Sequence, residues 1–423
     1  MSRLPSPHLG RVSDDFETLA SYRDPEAPGW TRRVFSGFDS AGRAWVAGRM
    51  EEAGLTVETD AAANLIGRLP GTASLPGAIV TGSHTDTVHG GGRFDGIVGV
   101  LGALEAVRCL REARTELEHD LIVVDFLGEE PNDFGLSCVG SRAISGALDE
   151  GHLALVGPEG LSLAEALAAC GGRPSALEGA RWPNGLHCYV ELHIEQGPVL
   201  EAARGPIGVV TGIVGIHRLL ASIVGQPDHA GTTPMSLRRD ALLGAAEAAL
   251  AIERLAEGGV ATTGRLEIRP GAHNVVPGEA DLWAEARSAD EEWLDDFGRR
   301  VTEEISAIGA RRHLGTTLSW ISRERPVTVT DWVAAAIGEA ARSFGIEPLN
   351  IPSGAGHDAS HMARLGPMGM VFVPSRAGRS HCPEEWTDLE DIGRGIAVLA
   401  ETLVICDHRE EARQGRRRRG SDD

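Results

Sequence analysis

The sequence predicts an α/β protein whose first domain is built from two separate chain segments and is interrupted by a second, inserted domain. Three observations carry this prediction. The chain has 423 residues, more than one ordinary hydrophobic core accommodates. Apolar strand-like runs alternate with alanine-rich helical stretches, which is typical of layered α/β folds. Within residues 215–326 the order of elements changes, and the first pattern resumes afterwards.

The first domain contains a β-α-β unit. Ala78–Gly82 and Leu121–Phe126 are apolar runs of the kind found in buried parallel strands. Between them, Gly96–Arg111 has apolar residues at helical spacing. We therefore expect the polar residues that follow these strands to lie at strand ends, where a rigid sheet would hold them.

The inserted segment predicts a strand, a helix, two strands, a helix and a strand, which is the order of a ferredoxin-like fold. The elements are His217–Val224, Arg239–Ala256, Gly264–Arg269, Ala280–Arg287, Glu291–Ala310 and Thr316–Ser322. After Pro326, the helix Asp331–Phe344 and the strand Gly369–Pro374 return to the first pattern. We assign 1–214 and 327–411 to the first domain and 215–326 to the second, and we expect 412–423 to be a disordered tail.

Composition narrows the classes of partner. The formal charge is −21, from 40 basic and 61 acidic side chains, which disfavours nucleic acid and anionic membranes. No apolar run approaches the roughly 20 residues that span a bilayer, and the first residues lack the pattern of a secretory signal. We therefore expect a cytoplasmic protein. The six cysteines include no Cys-x-x-Cys pair, so neither a disulfide framework nor a thiolate zinc site is indicated.

Three histidines and several carboxylates stand near the ends of apolar runs. They lie in the segments Gly82–Asp86, Leu192–Ala202 and Arg379–Glu384. Strands would hold such side chains rigidly and direct them at a common centre. A mixed His, Asp and Glu set suits two divalent metals, which can make hydroxide from water and polarise an amide carbonyl.

Two of these positions, His84 and Asp95, have neighbours that suit metal binding. His84 follows a predicted strand, and the carboxylate of Asp86 could accept its second ring N–H and fix the tautomer. Asp95 lies in the loop Gly90–Gly96, whose glycines let the backbone fold tightly around an ion that the carboxylate could bridge to a second one. A phosphate-binding loop is the alternative, but the Gly-x-Gly-x-x-Gly register is not met and an anionic Asp95 occupies the loop.

Glu129 and Glu130 follow the strand Leu121–Phe126, where neighbouring side chains point in different directions. One can bind metal while the other takes a proton from water activated there. A glutamate pair alone is usually a solvated face, and a single histidine is more often structural than a ligand. The coincidence of all these positions is what favours a metal site.

Six motifs resemble those of the hydantoinase/carbamoylase amidase branch of the M20 metallopeptidases. They are Gly82–Thr87, Gly91–Gly96, Glu191–Pro198, His229–Met235, Gly354–Ala359 and Ser380–His381. That branch contains N-carbamoyl-L-amino-acid hydrolases, β-ureidopropionases and allantoate amidohydrolases. The motifs occur in the family's order and span nearly the whole chain. The resemblance implies a discontinuous phosphorylase/hydrolase-like catalytic domain that binds two metals, with an inserted ferredoxin-like α+β lid and dimerisation domain.

The resemblance also implies roles for residues at matching positions. Five residues would hold the two metals: His84, Asp95 and His193 one of them, and Asp95, Glu130 and His381 the other. Asp95 would bridge the ions, and Glu129 would be the general base. Gln196 and His357 would line the substrate pocket.

In the inserted domain, the resemblance implies that His229 and Asn274 stabilise the oxyanion and that Arg287 binds the substrate carboxylate. In the family, His229 and Asn274 reach the site of the partner subunit, which implies a homodimer. A guanidinium suits a carboxylate because it can donate two parallel hydrogen bonds. Simpler interpretations stay open: turn residues for the first two, and an ion pair with Glu285 or Asp290 for Arg287.

These expectations describe a metal-dependent amidohydrolase that converts an N-carbamoyl-L-amino acid, or a related ureido acid, to amino acid, ammonia and carbon dioxide. Its partner would be this small substrate, with no nucleic acid and no membrane. The alternatives are an allantoate amidohydrolase, an M20-type peptidase or N-acyl-amino-acid hydrolase, and a non-catalytic binding protein. Zinc, manganese, cobalt and nickel all suit the ligand set.

One segment departs from the family pattern. After the glutamate pair the branch commonly continues Glu-Gly-Ser-Arg-Phe, whereas this chain has Pro131–Gly135. When Phe134 is matched with the phenylalanine of that pattern, Asp133 stands where an arginine is usual. If this loop faces the substrate, we expect the pocket to disfavour a second carboxylate on it.

Overall fold

The computed structural model describes residues 4–182 and 185–409, so the predicted tail 412–423 lies outside the described residues. The chain forms two compact units. The described parts of Met1–Thr211, Val329–Ile351 and His357–Asp423 form the first, and Gly212–Thr328 with Pro352–Gly356 forms the second. The second unit thus extends slightly beyond the predicted insert, 215–326, at both ends, and it also includes a short later segment.

The first chain segment supplies seven helices and six strands. The helices are α1 (Leu9–Ser21), α2 (Gly37–Glu52), α3 (Ile97–Glu112), α4 (Val139–Ile144), α5 (Glu150–Leu153), α6 (Leu163–Ala169) and α7 (Val199–Ala203). The strands are β1 (Thr56–Thr59), β2 (Leu65–Leu69), β3 (Ile79–His84), β4 (Leu121–Phe126), β5 (Cys188–Ile194) and β6 (Gly208–Ile213). Strand β3 extends two residues beyond the predicted end at Gly82, so that His84 is its last residue.

The middle of the chain supplies two helices and seven strands. These are β7 (Gly215–Val224), β8 (Asp228–His229), α8 (Ala241–Leu255), β9 (Val260–Arg269), β10 (Val275–Val276), β11 (Glu279–Ser288), α9 (Glu291–Arg312), β12 (Gly315–Glu324) and β13 (Val327–Thr328). The last part adds α10 (Asp331–Ser343), β14 (Leu349–Ser353), α11 (Ala359–Met362), β15 (Met368–Val373) and α12 (Leu389–His408).

The sheet of the first unit has the strand order β1-β2-β4-β3-β5-β15-β6, with β14 beside β6. The four central strands β4, β3, β5 and β15 are parallel. All residues of these four strands are buried, as a sheet covered by helices on both faces requires. The predicted β-α-β unit is β3, α3 and β4. Parallel strands end at one edge of a sheet, so the residues that follow them are brought together.

The core of the first unit forms where helices α3, α10 and α12 pack against this sheet. Leu104 of α3 and Leu399 of α12 are fully buried in it, together with Val371 of β15. Each such side chain stabilises the fold by about 1.5–3 kcal/mol. The core therefore fixes the strands whose ends carry the polar residues.

The second unit has an antiparallel sheet of order β12-β7-β11-β9, on which α8 and α9 pack. This is the ferredoxin-like arrangement predicted from the sequence. Strand β9 lies at the sheet edge and is largely exposed. The short strands β8 and β10, which the sequence did not predict, pair His229 with Val275.

No helix among residues 4–182 and 185–409 combines the length and apolarity that crossing a bilayer requires.

Candidate metal centre

The ends of three parallel strands bring most of the predicted site residues together. His84 ends β3, Glu129 and Glu130 follow β4, and His193 lies near the end of β5. His381 lies beyond β15, in the loop before α12. These residues are separated by long stretches of sequence, and the sheet alone places them at a common edge.

Two groups of possible metal ligands share Asp95. Within each group the ligand atoms lie within 4.8 Å of one another; the groups are His84, Asp95 and His193, and Asp95, Glu130 and His381. Asp95 Oδ1 is 3.3 Å from Nε2 of His193, and Asp95 Oδ2 is 3.0 Å from Nε2 of His381. Each oxygen of the Asp95 carboxylate thus faces a histidine of a different ligand group.

The ring hydrogen bonds direct the Nε2 atoms of two histidines at the cluster. Nδ1 of His84 lies 3.1 Å from the carbonyl oxygen of Asp86, and Nδ1 of His193 lies 2.9 Å from that of Ile194. Because a carbonyl only accepts, each Nδ1 must carry the proton, which leaves Nε2 as the ligand atom. Nε2 of His193 also accepts the N–H of Gly96, as an unprotonated nitrogen can.

The role of Asp86 differs in detail from the prediction. Its carboxylate is 3.5 Å from Nδ1 of His84, so the shorter contact of that ring is with the Asp86 carbonyl. The carboxylate accepts the backbone N–H groups of Glu129 and Glu130, each at 3.2 Å. Asp86 therefore ties the end of β3 to the glutamate pair.

The cluster attracts positive charge. Burial lowers the pKa of His84, but Glu129 and Asp86 outweigh it and raise that pKa well above its usual value. Hydrogen bonds with Asp95 and Glu130 raise the pKa of His381 to about 11. The protonated rings of His84 and His381 are thus stabilised by carboxylates that lie around the same space. The same donor set can accept divalent cations, so the residues present fit a metal site.

Glu129 belongs to neither ligand group but lies against the cluster. Its Oε2 is 3.6 Å from Nε2 of His84, and the thiol of Cys138 donates to its Oε1 at 3.6 Å. Burial raises the pKa of Glu129 well above the usual value, although His84 opposes this. A buried carboxyl with a raised pKa is suited to accept a proton and return it.

A third group also has its possible ligand atoms within 4.8 Å of one another: Glu191, His193 and His357. Both oxygens of Glu191 already accept hydrogen bonds, from Ser83 Oγ at 2.7 Å and from the Tyr189 hydroxyl at 2.8 Å. This carboxylate is therefore satisfied by its protein neighbours. His357 is buried, and its ring packs edge-on against that of His193 with centroids 4.5 Å apart.

A sequence model described as Peptidase family M20/M25/M40 matches residues 75–404, most of the chain. The chain belongs to this family. The M20 family is metal-dependent, in agreement with the ligand groups found here.

Relatives of this M20 chain include named amidohydrolases. An N-carbamoyl-L-amino-acid amidohydrolase of Paenarthrobacter aurescens is 39% identical over 403 residues, covering 94% of this chain and 98% of the relative. A ureidoglycolate hydrolase of Oryza sativa is 37% identical over 401 residues, covering 92% and 82%. A hydantoinase/carbamoylase-family amidase from Burkholderia multivorans has a similar solved structure, with a TM-score of 0.84, 35% identity and coverage of 96% and 99%. The fold is that of these M20 amidases.

Gln196 is the other predicted substrate residue in the first unit of this M20 chain. Its side-chain amide donates to Oδ2 of Asp95 at 2.8 Å, which places it beside the shared carboxylate. Both Gln196 and His381 have left-handed backbones, with φ of 57° and 55°. Such strain in non-glycine residues costs energy and is concentrated at functional sites.

His229 and Asn274 lie together in the second unit. The backbone N–H of Ala230 donates to the carbonyl oxygen of Asn274, beside the pairing of β8 with β10. Nδ1 of His229 accepts the N–H groups of Gly231 and Thr232 at 3.0 and 3.2 Å. The neutral ring therefore carries its proton on Nε2, and the exposed side chain can donate from that atom.

Arg287 is engaged within the second unit. Its Nε donates to Glu285 at 2.8 Å, and its Nη1 donates to the carbonyl oxygen of Gly354 at 2.8 Å. Glu285 also accepts from Arg218 at 3.1 Å. The ion pair with Glu285 that the sequence left open is thus present, and a role in binding substrate stays a prediction.

Two residues around the cluster were not predicted. The hydroxyl of Ser380 lies 2.8 Å from Asp95 Oδ2 and 2.8 Å from Glu385 Oε2, and Glu385 is buried. In the sequence, Ser380 stands out only as part of the motif Ser380–His381. Glu385 lies four residues after His381, and this proximity is the one signal that could have pointed to it. Nothing in the sequence indicates that Glu385 is buried.

Proposed function

We propose that this chain is a metal-dependent amidohydrolase that cleaves the carbamoyl C–N bond of N-carbamoyl-L-amino acids. The observation that carries the proposal is the pair of ligand groups sharing Asp95, with Glu129 beside them. The similarity to an N-carbamoyl-L-amino-acid amidohydrolase over nearly the whole chain supports the choice of substrate. A cytoplasmic location stays a prediction from the sequence.

The five proposed ligands would hold two divalent ions, either zinc or one of manganese, cobalt and nickel: His84, Asp95, Glu130, His193 and His381. When bound, such ions supply an activated water at neutral pH and polarise a carbonyl group. Asp86 would hold the ring of His84 and the backbone of the glutamate pair in fixed positions relative to each other. Gln196 and His357 would line the space next to the ligands.

Glu129 would carry the proton. It takes one proton from the attacking water as the new C–O bond forms at the carbamoyl carbon, and it returns this proton to the amino-acid nitrogen as the C–N bond breaks. The products are the free amino acid and carbamic acid, which decomposes to ammonia and carbon dioxide. The raised pKa of Glu129 suits it to both steps.

The second unit would supply the oxyanion donors. His229 would donate from Nε2 to the developing negative charge, together with Asn274, and Arg287 would bind the substrate carboxylate. We propose a homodimer in which His229 and Asn274 of the partner subunit serve this role. The exposed edge strand β9 and the exposed Leu243 and Leu250 of α8 support a contact between copies.

A second candidate substrate is a ureido acid other than an N-carbamoyl amino acid. It is favoured by the similarity to a ureidoglycolate hydrolase. Allantoate, which has two ureido groups, is the related possibility.

The test is an ammonia-release assay on purified protein with N-carbamoyl-L-amino acids, ureidoglycolate and allantoate in parallel, under several added metals. We expect the highest kcat/KM on an N-carbamoyl-L-amino acid, loss of activity after chelation and recovery on adding a divalent ion. Cleavage of peptides or N-acyl amino acids without ammonia release would replace this function with that of a peptidase or acylase. Full activity after exhaustive metal removal would refute the proposal.

A further inference from the structure

Glu385 holds the backbone of the shared ligand. The Glu385 side chain is buried, and its Oε1 accepts the N–H groups of Phe94 at 2.9 Å and Asp95 at 3.1 Å. Glu385 and Asp95 are 290 residues apart in the sequence. A single carboxylate thus satisfies two buried backbone donors of the glycine-rich loop, and these donors would be costly to leave unpaired.

Ser380 connects the same carboxylate to the side chain of Asp95. Its hydroxyl lies 2.8 Å from Glu385 Oε2 and 2.8 Å from Asp95 Oδ2. Glu385 therefore contacts Asp95 at two points, directly at the backbone and through Ser380 at the carboxylate. Two points of attachment define the orientation of a side chain better than one.

The loop is shaped around this carboxylate. A Cβ on Gly92 would lie 2.1 Å from Cδ of Glu385, so only glycine allows the close approach. On the other side, the ring of Phe94 packs edge-on against Trp386 with centroids 5.4 Å apart. The contacts of residues 385 and 386 therefore fix the loop from two directions.

We propose that Glu385 is a positioning residue that sets the orientation of Asp95 and thereby the geometry of both ligand groups. The inference rests on the proposed metal centre. It adds a residue that touches neither substrate nor any ligand atom except through Ser380. Supporting residues of this kind typically change metal affinity or activity by 10- to 100-fold when they are removed.

The test measures metal binding rather than turnover. Glu385→Ala removes the acceptor, Glu385→Gln keeps an acceptor oxygen of the same reach, and Glu384→Ala is the matched control. Glu384 is the adjacent residue, is exposed and pairs with Arg379. Metal affinity is obtained by competition with a chelator of known strength, and the absorption spectrum of cobalt-loaded protein reports ligand geometry.

We expect Glu385→Ala to weaken metal binding by roughly 10- to 100-fold and to alter the cobalt spectrum. Glu385→Gln should stay within a few-fold of the wild type, because the two backbone N–H groups keep a partner. Glu384→Ala should match the wild type in both measurements. Unchanged affinity and spectrum in Glu385→Ala, failure of Glu385→Gln to restore them, or an equal loss in Glu384→Ala would each overturn the proposal.

A second variant covers the case in which Glu385→Ala does not fold. Ser380→Ala cuts only the link to the Asp95 carboxylate, and we expect a smaller but measurable loss of metal affinity with a changed cobalt spectrum. A wild-type affinity in Ser380→Ala would then overturn the proposal. The proposed function fails separately, if the wild-type protein keeps its ammonia release without metal, whatever the variants bind.

Discussion

The backbone of Gly96 packs directly against the imidazole of His84: a Cβ on residue 96 would lie 2.2 Å from Nε2 of that ring. Nε2 is also the atom that faces the ligand cluster. Gly96 has φ of 68°, so the position excludes larger residues by both backbone conformation and space. The glycine-rich loop that the sequence associated with Asp95 therefore also shapes the site of His84.

Gly96→Ala should displace His84 and weaken metal binding by at least 10-fold, with a matching loss of activity. Gly345→Ala is the control, because Gly345 has a similar φ of 76° but open space where its Cβ would be. Gly345→Ala should lose about 1–2 kcal/mol of folding stability from backbone strain. Gly96→Ala should lose at least as much, because Gly96 combines its positive φ with a ψ of −43°, outside the left-handed helical region. Thermal unfolding and bound-metal content separate the two effects, and equal metal content in both variants would contradict the steric argument.

Glu129→Gln should lower kcat by about 10²- to 10⁴-fold while leaving KM and bound metal nearly unchanged. The amide keeps the size of the side chain but cannot accept and return a proton. Steady-state kinetics and metal analysis check this, with Glu384→Gln as a control for the same chemical change on an exposed residue. Retention of most activity by Glu129→Gln would assign the proton transfer to another group.

Mixing Glu129→Gln with His229→Ala tests the proposed homodimer. Each homodimer should be nearly inactive, because the loss of an oxyanion donor costs about 10²- to 10³-fold. In a mixed dimer, one site combines Glu129 of one subunit with His229 of the partner subunit. Random re-association should therefore restore roughly a quarter of the wild-type activity. If no activity returns although mixed dimers are detected, His229 acts within its own subunit.

Asp133 forms an ion pair with Arg33, and both side chains are about half exposed. The ring of Phe134 also packs edge-on against that of Phe35, with centroids 5.6 Å apart, so the two segments lie together. The negative charge that the sequence placed after the glutamate pair is thus balanced locally. This qualifies the expectation that it alone disfavours acidic substrates.

Asp133→Asn should free the charge of Arg33 and raise kcat/KM for N-carbamoyl-L-aspartate relative to N-carbamoyl-L-alanine. Exposed pairs contribute at most about 1 kcal/mol, so the ratio should change by up to about fivefold. Asp133→Arg should change it further in the same direction, and Arg33→Gln should change it in the opposite direction. Identical ratios in all three variants would show that this loop does not face the substrate.

His361 should make folding stability sensitive to acid. Burial, with Arg142 and Arg364 nearby, lowers the pKa of His361 to about 3. The unfolded chain, with an ordinary pKa near 6.5, binds more protons between these values, so stability falls as the pH drops through this window. Within this window, protonation of His361 in the unfolded chain should lower the free energy of unfolding by about 1.4 kcal/mol for each pH unit of acidification.

His361→Leu should therefore flatten the decline in unfolding free energy between pH 6 and pH 4. Chemical denaturation at a series of pH values measures this, and His408→Leu, at an exposed position, serves as the control. Parallel curves for the wild type and His361→Leu would mean that His361 can become protonated in the folded protein.

The sequence predicted the parts of the site that depend on strand ends. His84, Glu129 and Glu130 follow apolar runs long enough to identify buried parallel strands, and strand ends in such sheets meet at one edge. The hydrogen-bonding details did not follow, because they depend on which atoms meet after folding. The carbonyl of Asp86, rather than its carboxylate, makes the shorter contact with His84.

Long-range pairings were the part that sequence could not predict. Glu385 reaches Asp95 across 290 residues, and Arg33 meets Asp133 across 100. Neither pairing has a local pattern, because loops rather than regular elements carry these residues. The ferredoxin-like insert was predicted well for the opposite reason: each of its long elements has its own periodicity.

The two ligand groups draw on segments that span most of the first unit, from His84 to His381. Ions held there would act as cross-links between distant parts of the chain, and these cross-links would form only in the folded state. Each ion, at 100 times its dissociation constant, would then add about 2.7 kcal/mol to the free energy of unfolding. In a cell short of metal, this protein would therefore lose resistance to proteolysis as well as catalytic activity. Its abundance would then follow the supply of divalent ions.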